Sequence, residues 1–277
     1  LTTGGRVPWT LACSPDGTEH EGSVRSLAFS ADGSLLATAG QDGLVIVRYA
    51  GTGSVQWSAG EYRDWLNAVT FTPDGTLVIG AGGRTEGRSV DRRILLWDAT
   101  TGELRAELPG HDDAVRAMAV SPDGTLLASA GAEGTIKVWY LPVGGLLRQL
   151  EGHQDRVFDL EFSPDGTLLA SAGRDHTVRL WDAATGAPAT DPLLGHGNSV
   201  RGLAFAGNGR VVSVGNDSRI LLWNTGETHP ARLATPLPDQ TATTRAVAVD
   251  ADGTLMATGD DTGRVVLRHV ADGAPTG

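Results

Sequence analysis

His153, Ser171 and Asp175 are the side-chain types of a nucleophilic triad: an imidazole to take a proton, a hydroxyl to attack, and a carboxylate to hold the imidazole. The trio returns as His196, Ser213 and Asp217, and in altered form as His111 with Ser129 and as His20 with Thr38 and Asp42. A hydrolase needs one activated serine beside an oxyanion site in a cleft, and nothing in that chemistry requires a copy per repeat. Repetition therefore argues against catalysis and for a structural use of the same groups. Metal and phosphate chemistry find no better footing. The seven histidines are scattered at repeat spacing, Cys13 is the single cysteine, and no HExxH or CxxC spacing occurs. The glycines sit in hairpins rather than between a strand and a helix, so no phosphate loop is present. The sequence carries no catalytic site, no metal set and no cofactor motif.

The elements that must position these residues are strands. Between Gly152 and Asp182 the chain reads GHQDRVFDLEFSPDGTLLASAGRDHTVRLWD. Val157, Leu160 and Phe162 form an apolar run that stops at Ser163-Pro164-Asp165-Gly166, where proline presets a turn and glycine supplies the positive φ. Leu168 to Ala170 begin a second strand, Gly173 to His176 turn the chain, and Val178, Leu180 and Trp181 make a third with period-two alternation. A weaker fourth ends at Leu193-Leu194.

The unit recurs, starting at Val24, Leu66, Val115, Val157, Val200 and Thr244, with steps of 42 to 49 residues. The segment SPDGTLLASAG stands letter for letter at 121–131 and 163–173. With the Gly-His pairs at 110–111, 152–153 and 195–196, and with Trp97-Asp98 and Trp181-Asp182, the chain resembles the WD40-repeat β-propeller family over nearly its whole length. The regularity of the copies is similar to the bacterial branch of that family. The resemblance implies an all-β propeller of four-stranded antiparallel blades, six recognisable and seven if residues 11–18 begin another unit. It implies one domain over 1–277, belonging to a longer chain.

The resemblance also implies a hydrogen-bonded relay in each blade, with Trp from the third strand, Ser or Thr from the second, His from the incoming loop and Asp from the turn. Unit four would use Trp181, Ser171, His153 and Asp175, and unit five Trp223, Ser213, His196 and Asp217. Unit three has His111, Ser129 and Trp139 but Glu133 for Asp. Unit one has His20, Thr38 and Asp42 but Arg48 for Trp. Unit two keeps only Asp91 and Trp97, and unit six only Thr258, so these blades are expected to be softer.

Val7 to Cys13 reads as an orphan outer strand that would pair with the three C-terminal strands and close the ring. Unit two carries an insertion, AGGRTEGRSVDR at 81–92, that reads as a surface loop or, through Arg84, Arg88, Arg92 and Arg93, as a partner-binding finger. Leu141 to Gly145 and Thr235 to Thr243 read as joints between blades.

A formal charge of −11 argues against nonspecific nucleic-acid binding, and no apolar run approaches the roughly 18 residues of a membrane span. One cysteine fits a reducing, cytoplasmic setting. The residue just after the first apolar position of each unit is Arg25, Asn67, Arg116, Phe158, Arg201 or Arg245. The resemblance places these at the central mouth, with Gln41, Val90, Ala132, Arg174, Asn216 and Asp261 at its rim. The arginines either pair with loop carboxylates such as Asp113 and Asp155, or form a basic collar for an acidic or phosphorylated peptide. The functional expectation is a noncatalytic, monomeric protein-interaction scaffold in a regulatory chain. The rival is a propeller enzyme or small-ligand binder using the central channel.

Overall fold

A computed structural model describes residues 19–84, 90–207, 209–225 and 242–276. They form twenty-two strands and no helix, arranged as six antiparallel sheets in chain order. Sheet 1 contains β1 (Val24–Phe29), β2 (Leu35–Gly40), β3 (Val45–Tyr49) and β4 (Val55–Ala59). Sheet 2 contains β5 (Leu66–Phe71), β6 (Leu77–Gly82), β7 (Ile94–Asp98) and β8 (Leu104–Leu108). Sheet 3 contains β9 (Val115–Val120), β10 (Leu126–Gly131), β11 (Ile136–Tyr140) and β12 (Gly145–Leu150). Sheet 4 contains β13 (Val157–Phe162), β14 (Leu168–Gly173), β15 (Thr177–Asp182) and the short β16 (Leu193–Leu194). Among the described residues the last two sheets have three strands: β17 (Val200–Phe205), β18 (Arg210–Gly215) and β19 (Ile220–Asn224), then β20 (Thr244–Val249), β21 (Leu255–Asp260) and β22 (Val265–His269). The strand β10 has the same sequence as β14, LLASAG.

The first hairpins of sheets 1 to 4 are built by the same turn chemistry, shown by sheet 4. The Asp165 carboxylate accepts the Ser163 hydroxyl at 2.6 Å and the Thr167 N–H at 3.0 Å, while Ser163 Oγ accepts the Leu168 N–H at 2.9 Å. Gly166 takes φ 71°, a region that side chains with a Cβ avoid. Leu141 to Val143 with Gly144 turn the chain between β11 and β12, inside sheet 3. The sequence reading of Leu141 to Gly145 as a joint between blades is therefore corrected, because such a turn has the same composition in either place. The segment Thr235 to Thr243 lies mostly outside the described residues. The insertion of unit two connects β6 to β7, and the Asp64 carboxylate anchors its described ends through the Val90 N–H at 3.0 Å and Arg84 at 3.1 Å.

The sheets pack face to face in sequence order. Val69 and Phe71 of β5 sit on Ala37, Ala39, Val45 and Val47 of sheet 1, and Leu203 and Phe205 of β17 sit on Ala170, Ala172, Val178 and Leu180 of sheet 4. Each fully buried side chain of this size contributes about 1.5–3 kcal/mol, so the interfaces between sheets form the core. The first strands converge: β1 lies beside β5, then β9, β13, β17 and β20 follow in turn. These strands are the innermost ones.

Among the described residues β20 does not return to pack on β1. Leu27 and Phe29 are both 57% exposed, whereas their counterparts in sheet 4, Leu160 and Phe162, are 4% and 6% exposed. At the other end Val265 and Leu267 are 71% and 53% exposed, while Val178 and Leu180 are at most 1%. The expected closing strand, Val7 to Cys13, lies outside the described residues. Beside β22 the chain itself begins a fourth strand, with Pro275 bridging Arg268 and the Thr276 N–H donating to the Leu267 carbonyl at 3.0 Å.

Candidate functional site

The second and third strands of sheet 4 hold Ser171 and Trp181 side by side, and the loop before β13 lays His153 across them. Trp181 Nε1–H can only donate, so Ser171 Oγ accepts it at 2.9 Å and gives its own proton to His153 Nε2 at 2.8 Å. The imidazole then keeps its proton on Nδ1, which faces the Asp175 carboxylate at 2.9 and 3.0 Å. Burial works against ionisation of Asp175, but hydrogen bonds from His153, the Gln154 N–H and Thr177 hold its carboxyl below the usual carboxylate range. Gly173 ends β14 because a Cβ there would stand 2.5 Å from both His153 Nδ1 and Asp175 Oδ1.

The set repeats. His196 joins Ser213 at 2.8 Å and Asp217 at 2.9 Å, and Trp223 donates to Ser213 at 2.8 Å. His111 joins Ser129 at 2.7 Å, and Trp139 donates to Ser129 at 2.9 Å. Glu133 reaches His111 at 2.6 Å in place of an aspartate. His20 joins Thr38 at 2.9 Å and Asp42 at 3.0 Å. The order of groups is that of a hydrolase triad, yet Thr38, Ser129, Ser171 and Ser213 are all 0% exposed. A hydroxyl sealed in this way meets no substrate.

Sheets 1, 2 and 6 show substitutions of the relay that sequence reading missed or left open. In sheet 2 Gly80 stands at the serine position, the Trp97 ring fills the space, and its Nε1–H donates to Glu61 at 3.2 Å. Tyr62 takes the histidine's place: its hydroxyl accepts the Gly82 N–H and donates to the Asp91 carbonyl, both at 3.0 Å. The Asp91 carboxylate accepts the Arg63 N–H and is gripped by Arg93 at 2.8 Å. Arg48 of β3 and Arg268 of β22 occupy the tryptophan position, each donating to the carbonyl of a turn glycine, Gly53 at 3.1 Å and Gly273 at 3.2 Å. Only the equal register of these strands could have exposed Arg268 as a counterpart of Arg48.

At one end of the innermost strands Arg25, Asn67, Arg116, Phe158, Arg201 and Arg245 line one mouth of about 450 Å³. A neighbouring hollow of about 480 Å³ continues it, adding Arg156, Arg174 and Asn216 among its lining residues. The Arg201 guanidinium lies 4.0 Å over the Phe158 ring and hydrogen-bonds Asn216 at 3.0 Å, while Arg25 lies 4.9 Å over Trp65. Asn67 is tied by its amide to the carbonyls of Gly83 and Val115. Asp155 pairs with Arg174 at 3.6 Å and Asp261 with Arg245 at 3.8 Å, and Asp113 accepts the Ala114 N–H. Among the described residues no carboxylate lies within ion-pair distance of Arg25, Arg116, Arg156 or Arg201. Burial, reinforced by the guanidiniums of Arg25 and Arg156, pushes Arg116 below its ordinary pKa, against the pull of Asp113. Of the expected rim, Arg174 and Asn216 reach the hollow, whereas Val90 lies with Arg63 and Arg92 at a separate depression near His111. Arg88 lies outside the described residues.

Two carboxylates escaped the sequence reading. Asp159 and Glu161 lie on β13 and reach across to sheet 5, where Asp159 accepts the Leu203 N–H and Glu161 the Phe205 N–H, both at 2.9 Å. Burial pushes Asp159 up to about 7 and, helped by the Asp159 charge, Glu161 up to about 8. The signal was present in the alignment of units, where the other five put Ala, Ser, Gly or Thr at these two positions.

Comparison with known proteins accords with this geometry. Residues 13–47, 56–98, 102–140, 144–182 and 189–224 match the family described as WD domain, G-beta repeat. Mouse F-box-like/WD repeat-containing protein TBL1X is 31% identical over 88 residues, 32% of this chain and 15% of that protein. Human apoptotic protease-activating factor 1 is 32% identical over 92 residues, 30% of this chain and 7% of that protein. Rat telomerase protein component 1 is 31% identical over 105 residues, 36% of this chain and 4% of that protein. The matched stretches thus span a small part of these relatives.

Proposed function

Since this chain belongs to the WD40-repeat family, we propose that it is a noncatalytic interaction scaffold whose arginine-lined mouth captures an acidic or phosphorylated segment of a partner protein. The observation that carries the reading is the convergence of Arg25, Arg116 and Arg201 on one mouth without carboxylate partners among the described residues. Guanidiniums held so close repel one another, and an incoming carboxylate or phosphate relieves that repulsion through charge-assisted, often bidentate bonds. Phe158 and Trp65 orient two of the arginines by lying under their planes, a contact of about 0.5–1 kcal/mol at an exposed site. A local cluster of this kind attracts anions even though the whole chain carries −11. A panel of acidic and phosphorylated peptides, followed by fluorescence anisotropy, tests the reading. Affinity should fall with added salt and drop at least about tenfold in the Arg116→Glu, Arg201→Glu double variant, given that each charge-assisted bond is worth about 1.5–3 kcal/mol. Equal binding by that variant rejects the mouth as the site.

A further inference from the structure

In every sheet one backbone hydrogen bond ties the residue after the second strand to the residue before the first, so these two positions sit together at the incoming-loop end. Five sheets put neutral residues or, once, Asp261 there. Sheet 4 alone puts two cations there, with the Arg174 N–H donating to the Arg156 carbonyl at 2.7 Å. The same sheet has Phe158 at the strand position where β1, β9, β17 and β20 have arginines. Its cations therefore stand beside the mouth rather than in it. Arg156 and Arg174 line the hollow of about 480 Å³ together with Arg116, Phe158 and Arg201, whereas Arg25 and Arg245 line the mouth together with the same three. The Phe158–Arg201 stack is thus a wall common to two basic hollows. Among the described residues Arg156 has no carboxylate within ion-pair distance. Arg174 has Asp155 at 3.6 Å, but the two side chains are 51% and 42% exposed, and so open a pair is weak in water.

We infer that Arg156 and Arg174 form a second anion subsite beside the mouth, so that the captured segment carries two anionic groups, one for each hollow. This rests on the reading of the mouth as an acidic-segment site. One carboxylate or phosphate can meet Arg116 and Arg201 from one hollow, and the arginines proper to the other hollow then stay uncompensated. A second anion on the same segment reaches them as an intramolecular event, at high effective concentration. Groups two residues apart lie on one face of an extended chain, about 7 Å from each other, a spacing suited to hollows that share a wall. The group required is an oxyanion that takes charge-assisted bonds from guanidinium, a description met by phosphoserine and by glutamate.

Fluorescence anisotropy on the 277-residue chain tests it with labelled glycine–serine peptides of three kinds. One carries a single phosphoserine, one carries two phosphoserines two residues apart, and one carries two at about nine residues apart. The close pair should bind about tenfold tighter than the single or the distant pair, as one further charge-assisted contact provides. A matching series with glutamate identifies the source of the anion, by whichever series shows the preference. Arg156→Gln with Arg174→Gln should abolish the preference for close spacing and leave the affinity for the single phosphoserine nearly unchanged. Arg63→Gln with Arg264→Gln removes the same charge at exposed positions that line neither hollow, and should keep the preference. No preference for close spacing in either series, or one that survives Arg156→Gln with Arg174→Gln, overturns the inference and leaves the mouth as a site for one anion. Binding of none of the peptides overturns the reading of the mouth, and the inference with it.

Discussion

In sheets 3, 4 and 5 one hydroxyl is shared by a tryptophan N–H and a histidine nitrogen, so removing the ring unmakes more than one contact. Trp181→Ala leaves a cavity between sheets and strips Ser171 of its donor, at a cost of about 3–5 kcal/mol. Arg48→Ala, at the same register in sheet 1, removes a smaller contact that includes the bond to the Gly53 carbonyl and should cost about 1–2 kcal/mol. Urea denaturation of the two variants distinguishes these outcomes, and equal losses would refute the larger contribution of the relay tryptophan. The relay histidines, hydroxyls and acids were legible in the sequence because their types repeat. Tyr62, Glu61 and Arg268 were not, because each does a relay residue's work with different chemistry. Asp159 and Glu161 were hidden for another reason: on a strand of alternating character they look like its solvated half, and only the position of sheet 5 shows that their carboxylates reach the backbone of the next sheet.

At the scale of the element, the hairpin between the second and third strands places one residue in the left-handed region. Sheets 1, 3 and 6 supply Gly43, Gly134 and Gly263 there, but sheet 4 uses His176 at φ 69° and sheet 5 uses Ser218 at φ 58°. A side chain with a Cβ is disfavoured in that conformation by about 1 kcal/mol or more, which the glycine variants relieve at some entropic cost. His176→Gly and Ser218→Gly should each stabilise the protein by about 0.5–1 kcal/mol, read as a higher denaturation midpoint with an unchanged slope. Strand positions were legible because the alternation and the Asp-Gly turns both mark them. The turn formed by 141–144 was misplaced because composition identifies a turn without saying whether the next strand joins the same sheet.

For the whole molecule, the interfaces decide. Leu27 and Phe29 have the residue types of a buried interface and lie open to solvent, so Leu27→Ser with Phe29→Ser should change stability by less than about 1 kcal/mol. The same pair of changes at Leu160 and Phe162 should cost several kcal/mol. The first variant should also reduce self-association at high concentration, measured by light scattering, because it removes apolar surface from a sheet face. Six units could be counted in the sequence, but whether their arc returns on itself depends on how far each sheet is rotated from the last, and no residue type encodes that angle. The identity of β10 and β14 has a consequence for folding. Before the sheets close, the LLASAG strand of unit three and that of unit four offer neighbours the same side chains and the same register, so neither sheet can tell its own strand from its neighbour's. Two chains folding close together are therefore expected to exchange these strands at little energetic penalty, in a yield that rises with the protein concentration at refolding.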